Sequence, residues 1–309
     1  VADDALLGLL RALDARDYRF VTPSPATHRR YLRRNEDRNA RSLREALGWS
    51  LPFRAEAVPP ELLALLRAGD AIDEDADGLL RSRYRVSRVA GRLFLHSAFP
   101  TDDPAAVFLG PDTYRFVRFL RGAIDTASTR LVDMGTGTGA GAICAAALVP
   151  GARLTVVDAN PAALRLARIN AAAAGVAVET VEANRLDAVD GAIDLIIANP
   201  PFIADDARRA YRDGGDMRGA RVSLDWSLAA ADRLQPGGTM LLYTGTAIVD
   251  GRDALREALE RDLPGRGCAL LYEEIDPDIF GEQLNSAAYR GVERIAAIGA
   301  VIHRLPVST

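Results

Sequence analysis

The chain has 309 residues, 49% of them hydrophobic and 26% charged, with a formal net charge of −4. This is a soluble globular composition, long enough for one large domain and a small one, and it lacks the global basic field that announces nucleic acid. Its basic side chains are all arginine apart from three isolated histidines, and its two cysteines lie far apart, which excludes lysine Schiff-base chemistry, a disulfide framework and a zinc cluster.

No apolar run reaches the ~18 residues of a membrane span, and the acidic opening "VADDALLGLL" lacks the basic start of a signal peptide. A cytoplasmic protein with no membrane association and no metal is expected.

The first hundred residues read as helices followed by a β appendage. "DDALLGLLRALDAR" has apolar residues at helical spacing, and "HRRYLRRNEDRNARSLREAL" reads as a second amphipathic stretch. Its arginines (Arg29, Arg30, Arg33, Arg34, Arg38, Arg41) could grip RNA phosphates or an acidic surface, although a charge run on a helix is more often a solvated face. "PPELLALLRAG" has proline before a helix and glycine after it. In "SRYRVSRVAGRLFLHS" two β-like runs meet at Ala90-Gly91, a hairpin signal. Helices followed by a hairpin resemble a winged-helix module, and residues 1–104 are read as a smaller, mainly helical N-terminal domain for substrate recognition.

From residue 105 to 309 the rhythm alternates between strand and helix. Strands are read at "RLVDMG", "RLTVVDA", "AVETVEA", "DLIIAN", "GTMLLYTG", "CALLYEEI" and "RIAAIGAVIHR". The alternation argues an α/β fold, a doubly wound, mostly parallel seven-stranded sheet with its ligands at the carboxyl ends of the strands. The first strand runs into Gly135, Thr136, Gly137, Gly139 and Gly141, a loop that lets a ligand approach the backbone before a helix amino terminus. The second strand ends in Asp158 and Ala159; an acid there can accept from both hydroxyls of a ribose. Asn160, Pro161 and Gly175 bound the next helix.

Gly137-x-Gly139-x-x-Ala142 also satisfies the dinucleotide fingerprint. Asp133, two residues before Gly135, is awkward beside a pyrophosphate but suits a cationic ligand such as the amino acid part of S-adenosylmethionine.

The buried run "DLIIAN" ends at Asn199, followed by Pro200, Pro201 and Phe202. Two prolines cannot continue a sheet ladder, and one would suffice to stop it. This corner resembles the (Asn/Asp/Ser)-Pro-Pro-(Tyr/Phe/Trp) mark of the class I S-adenosylmethionine-dependent methyltransferases that act on planar nitrogen. The resemblance implies their Rossmann-like fold and S-adenosylmethionine as cofactor. An amide or aniline-like NH₂ is a poor nucleophile because its lone pair is delocalised. The Asn199 side-chain oxygen and the Pro200 carbonyl can each accept one of its N–H groups, orienting the lone pair, while Phe202 stacks on the planar group.

Within that group the chain most resembles the release-factor glutamine methyltransferases, over roughly Phe108 to Gly245. "GPDTYRFVRFL" supplies Pro111 and Thr113, "NPPFI" the corner, "DGGD" Gly214 and Gly215, and "RLQPGG" a turn. The resemblance implies a macromolecular acceptor, a protein such as a release factor, and contacts from Asn184 and its neighbour Arg185 to the cofactor. Phe202 replaces the family's usual tyrosine, Tyr114 stands where its glutamate would, and Asn184 stands in place of an acid. Methyltransferases of RNA purine amines share the corner, so an exocyclic purine amine in ribosomal or transfer RNA is the alternative acceptor. An inactive cofactor- or RNA-binding module is a further alternative. "EEIDPDIFGEQL" is read as a loop near the site mouth, and Cys144 and Trp226 as core.

Overall fold

Leu6, Leu9, Leu10 and Leu13 share one face of α1 (Ala2–Ala15) and are buried. The computed structural model describes residues 1–101, 103–205 and 212–306. Ser24 accepts from the Thr27 N–H to cap α2 (Pro25–Arg33). The single long basic helix expected here is interrupted before α3 (Leu43–Leu47). Asn35 donates its side-chain amide to the Tyr31 carbonyl at 2.7 Å and accepts from Arg38 Nε at 2.7 Å, a side-chain alternative to the helical ladder.

After α4 (Pro60–Ala68), the short strands β1 (Ile72–Glu74) and β2 (Leu80–Ser82) pair antiparallel. Strands β3 (Tyr84–Val89) and β4 (Arg92–Ser97) form the expected hairpin, with Ala90 and Gly91 both at positive φ, 49° and 83°, as a two-residue turn between twisted strands requires. The hairpin does not project as a wing: Val86, Phe94 and Leu95 are wholly buried.

The second part of the chain runs α5 (Pro111–Ala123), β5 (Arg130–Met134), α6 (Ala140–Ala145), β6 (Arg153–Asp158), α7 (Pro161–Ala174), β7 (Glu179–Glu182) and β8 (Ile193–Ala198). It continues through α8 (Arg221–Arg233), β9 (Leu234–Val249), β10 (Arg252–Asp253), α9 (Ala254–Asp262), β11 (Cys268–Asp276) and β12 (Arg294–Arg304). The sheet order is β11-β12-β9-β8-β5-β6-β7, with the two-residue β10 added at β9. Strands β5 to β9 run parallel, and β12 lies antiparallel between β9 and β11. Because β6 and β8 flank β5 on opposite sides, the chain reverses its winding there and leaves a crevice at the carboxyl ends of the strands. The expected "RLQPGG" turn is an irregularity within β9: Leu234 pairs with Ile193, then Thr239 with Leu195.

The core of the N-terminal helices includes Ala163, Leu166 and Ile169 of α7. Asn170, also on α7 and wholly buried, joins both regions. Its oxygen accepts from Leu95 N at 2.8 Å, and its amide donates to the carbonyls of Leu95 and Thr138 at 3.0 and 2.9 Å.

Candidate active site

A cavity of about 740 Å³ opens over the carboxyl ends of β5, β6 and β8. The glycine loop forms one wall. Gly135 N and Thr136 N donate to the Val157 carbonyl at 2.9 and 3.0 Å, fixing the loop to β6. Gly137 has φ +53°, and nothing lies within 4 Å of where a Cβ would stand, so the backbone there faces open space. Asp158 lines the cavity while holding the loop: its Oδ2 accepts from Gly137 N and its Oδ1 from Asn160 N, both at 2.9 Å. Burial raises its pKa.

Asp133 is 2% exposed, and its Oδ2 accepts from Thr136 Oγ1 at 2.8 Å and Ala142 N at 2.9 Å. Burial pushes its carboxyl up to about 6, and the nearby Asp158 carboxylate acts in the same direction. Among the described residues no cationic side chain pairs with it. A buried carboxylate of this kind is stabilised by a positively charged ligand. With Asp158 one strand away, and Ala159 and Asn184 also on the wall, the two carboxylate acceptors suit a ligand carrying both a cation and a ribose.

Two residues assigned from the sequence to this half do not line the cavity. Arg185 is exposed and turns to Asp187, Nε to Oδ2 at 3.0 Å, satisfied at the surface. Gly139 supports the loop from behind, since a Cβ there would stand 3.2 Å from the Ala167 backbone on α7.

The other half is the corner after β8. Asn199, Pro200, Pro201 and Phe202 all line the cavity. Among the described residues neither the Asn199 side chain nor the Pro200 carbonyl is engaged in a hydrogen bond, so both acceptors are available. Phe202 is 8% exposed and meets Phe280 edge to face, with centroids 5.7 Å apart. Of "EEIDPDIFGEQL", the stretch read as a loop near the mouth, the first four residues belong to β11 and Phe280 lines the cavity; further on, the Tyr289 hydroxyl accepts from Ala204 N at 2.9 Å.

Several cavity residues escaped the sequence reading. Trp226, read as core, packs against the sheet core and also covers the glycine loop in the cavity: a Cβ on Gly135 would stand 2.7 Å from its ring. Its helical spacing gave no sign of this, because the contact is made across the crevice. Asp112 is 5% exposed, accepts from Tyr243 Oη at 2.9 Å and is pushed up by burial to about 6. Arg29 and Phe99 bring the N-terminal region to the mouth. Tyr114 does not line the cavity; its hydroxyl accepts from Thr22 N at 3.0 Å and ties α5 to the N-terminal region.

Residues 113–261 match the model of the methyltransferase small domain family. The release factor glutamine methyltransferase of Deinococcus radiodurans is 31% identical over 231 residues, which cover 71% of this chain and 82% of that protein. The protein of the same name from Moorella thermoacetica is also 31% identical, over 80% of this chain and 90% of its own length. Among solved structures, a Pyrococcus horikoshii chain named as a transferase candidate shares the fold, with a TM-score of 0.51 and 12% identity over 91% of this chain and 99% of that one. On this similarity, the chain belongs to the family of release factor glutamine methyltransferases and is an S-adenosylmethionine-dependent N-methyltransferase.

Proposed function

We propose that the chain methylates the side-chain amide nitrogen of a glutamine in a protein acceptor of release-factor type. The observation that carries this reading is the pair of acceptors, Asn199 Oδ1 and the Pro200 carbonyl, on a corner of the cavity wall, neither engaged among the described residues. An amide NH₂ has two N–H groups to give and a delocalised lone pair. Accepting both hydrogens turns the nitrogen toward the methyl donor and stabilises the positive charge that develops on it. Pro200 and Pro201 hold the two acceptors in place before the acceptor arrives, so little ordering is left to the reaction step. Phe202 and Phe280 supply flat apolar surface for the planar amide.

S-adenosylmethionine, when bound, supplies an electrophilic methyl group on a sulfonium. Asp133 would face its cationic amino acid part, Asp158 its ribose, and Asn184 with Ala159 its base. Gly135, Thr136 and Gly137 would give the close backbone wall, and Trp226 would cover it. The names of the curated relatives support a glutamine acceptor.

The test is methyl transfer from methyl-labelled S-adenosylmethionine to a purified release factor and, in parallel, to total cellular RNA, with mass mapping of the protein product. A single methyl on one glutamine is expected, insensitive to ribonuclease and absent with Asn199→Ala. Label that ribonuclease removes would transfer the assignment to a purine amine, whose NH₂ has the same two hydrogens to give.

A further inference from the structure

The corner that receives the acceptor is packed against backbone that has no side chains in the way. Ile203 N donates to the Arg212 carbonyl at 2.9 Å, and Gly214 N donates to the Ile203 carbonyl at 2.8 Å. These bonds lay residues 212–219 along the corner as a strap. A Cβ on Gly219 would stand 2.3 Å from the Phe202 carbonyl oxygen, and one on Gly214 would stand 2.7 Å from Phe202 Cα and 1.8 Å from the Gly219 oxygen. From the sheet side, a Cβ on Gly245 of β9 would stand 2.4 Å from the Phe202 ring.

The strap is conformationally expensive. Met217, Arg218 and Gly219 lie consecutively in the left-handed region at φ 57°, 54° and 94°, and a non-glycine residue there costs about 1–2 kcal/mol. The strap is also bound to α8 near its start, by the Val222 N–H on the Gly214 carbonyl at 3.0 Å. The same helix carries Trp226 over Gly135. The strap backbone, α8 and the Trp226 ring thus form one path from the acceptor corner to the glycine loop.

We infer that Gly214, Gly219 and Gly245 are positioning residues for methyl transfer, a clamp that fixes Phe202 and the two acceptors before it relative to the methyl donor. The inference rests on the reading of Asn199–Phe202 as the acceptor corner. None of the three touches substrate; they act by where they place the corner. Displacement of about 1 Å at such a site is enough to cost roughly 100-fold in rate.

The test compares each clamp substitution with a control that strains the same element without reaching the corner. Gly215→Ala introduces a side chain at φ +72° in the same strap, but its Cβ would meet the Arg221 side chain, at 3.5 Å from Cβ and 3.9 Å from Cγ, and not Phe202. Gly299→Ala on the neighbouring strand β12 would crowd Phe119 at 2.6 Å instead of Phe202. Gly219→Ala and Gly245→Ala are expected to lower kcat by about tenfold or more while cofactor Kd stays within about twofold. Gly299→Ala is expected to keep kcat within about twofold despite a similar loss of Tm, and Gly215→Ala, strained only by its φ, to keep it with a smaller loss of Tm.

If Gly219→Ala does not yield folded protein, Gly245→Ala against Gly299→Ala decides. Equal kcat losses in clamp and control variants would overturn the inference, as would clamp variants with unaltered kcat. Full turnover by Asn199→Ala would instead contradict the acceptor-corner reading on which it rests, so the two failures are distinguishable.

Discussion

Asp133 carries an energetic cost that depends on pH. Its carboxyl is pushed up to about 6 in the folded chain, against roughly 3.9 in an unfolded one. The folded state therefore holds the proton more tightly. The destabilising effect of ionisation is absent below about pH 4, grows as pH rises through 6 and is complete above it; a shift of this size corresponds to about 1–3 kcal/mol. Asp133→Asn keeps an acceptor for Ala142 N and removes the charge. It should unfold at higher urea than the parent at pH 7.5, with the gap narrowing at pH 4.5, while binding S-adenosylmethionine about tenfold or more weakly. A variant less stable than the parent at both pH values would contradict this assignment. The same burial that makes the carboxylate costly is what makes it receptive to a cationic ligand.

At the scale of elements, α7 and α8 carry much of the site's support. Asn170 of α7 hydrogen-bonds to both the β3–β4 hairpin and the glycine loop. Asn170→Ala strands three buried backbone groups and should cost about 2–4 kcal/mol, read as a lower urea midpoint at unchanged m-value. On α8, Trp226→Ala removes the cover over Gly135. Cofactor Kd should rise by roughly tenfold, with a smaller change in the acceptor KM; the reverse pattern would place Trp226 on the acceptor side.

The parallel strands were legible in the sequence because each is a short apolar run between loop signals, and the glycine loop and Asn-Pro-Pro-Phe corner because their chemistry is local. The break between α2 and α3 was hidden because Asn35 acts through a side-chain bond that periodicity does not register. Trp226 and Phe280 reach the cavity from elements distant in sequence, and no local pattern distinguishes such an aromatic from a core residue. The family resemblance implies a cofactor contact for Arg185 beside Asn184, but its side chain is committed to Asp187.

For the whole molecule, the N-terminal helices and the sheet domain share structure beyond a linker. Ala163, Leu166 and Ile169 of α7 complete the N-terminal core, and Arg29 and Phe99 stand at the cavity mouth. A boundary near residue 104 would therefore leave an apolar helix face uncovered on a 105–309 fragment. That fragment is expected to be poorly soluble or to bind a hydrophobic dye, and the full chain to unfold in a single cooperative transition. Two resolved transitions, the second matching the fragment alone, would show that the halves fold independently. No helix among the described residues is long and apolar enough to cross a membrane.

The central claim is that Asn199 and Pro200 orient the accepting nitrogen and leave cofactor binding to the glycine loop. Its most direct test is to measure, on one preparation of Asn199→Ala, both kcat for methyl transfer and Kd for S-adenosylmethionine. The account predicts a fall in kcat of about 100-fold or more with Kd within about threefold of the parent. Parallel loss of turnover and cofactor binding, or turnover at the parental rate, would contradict it.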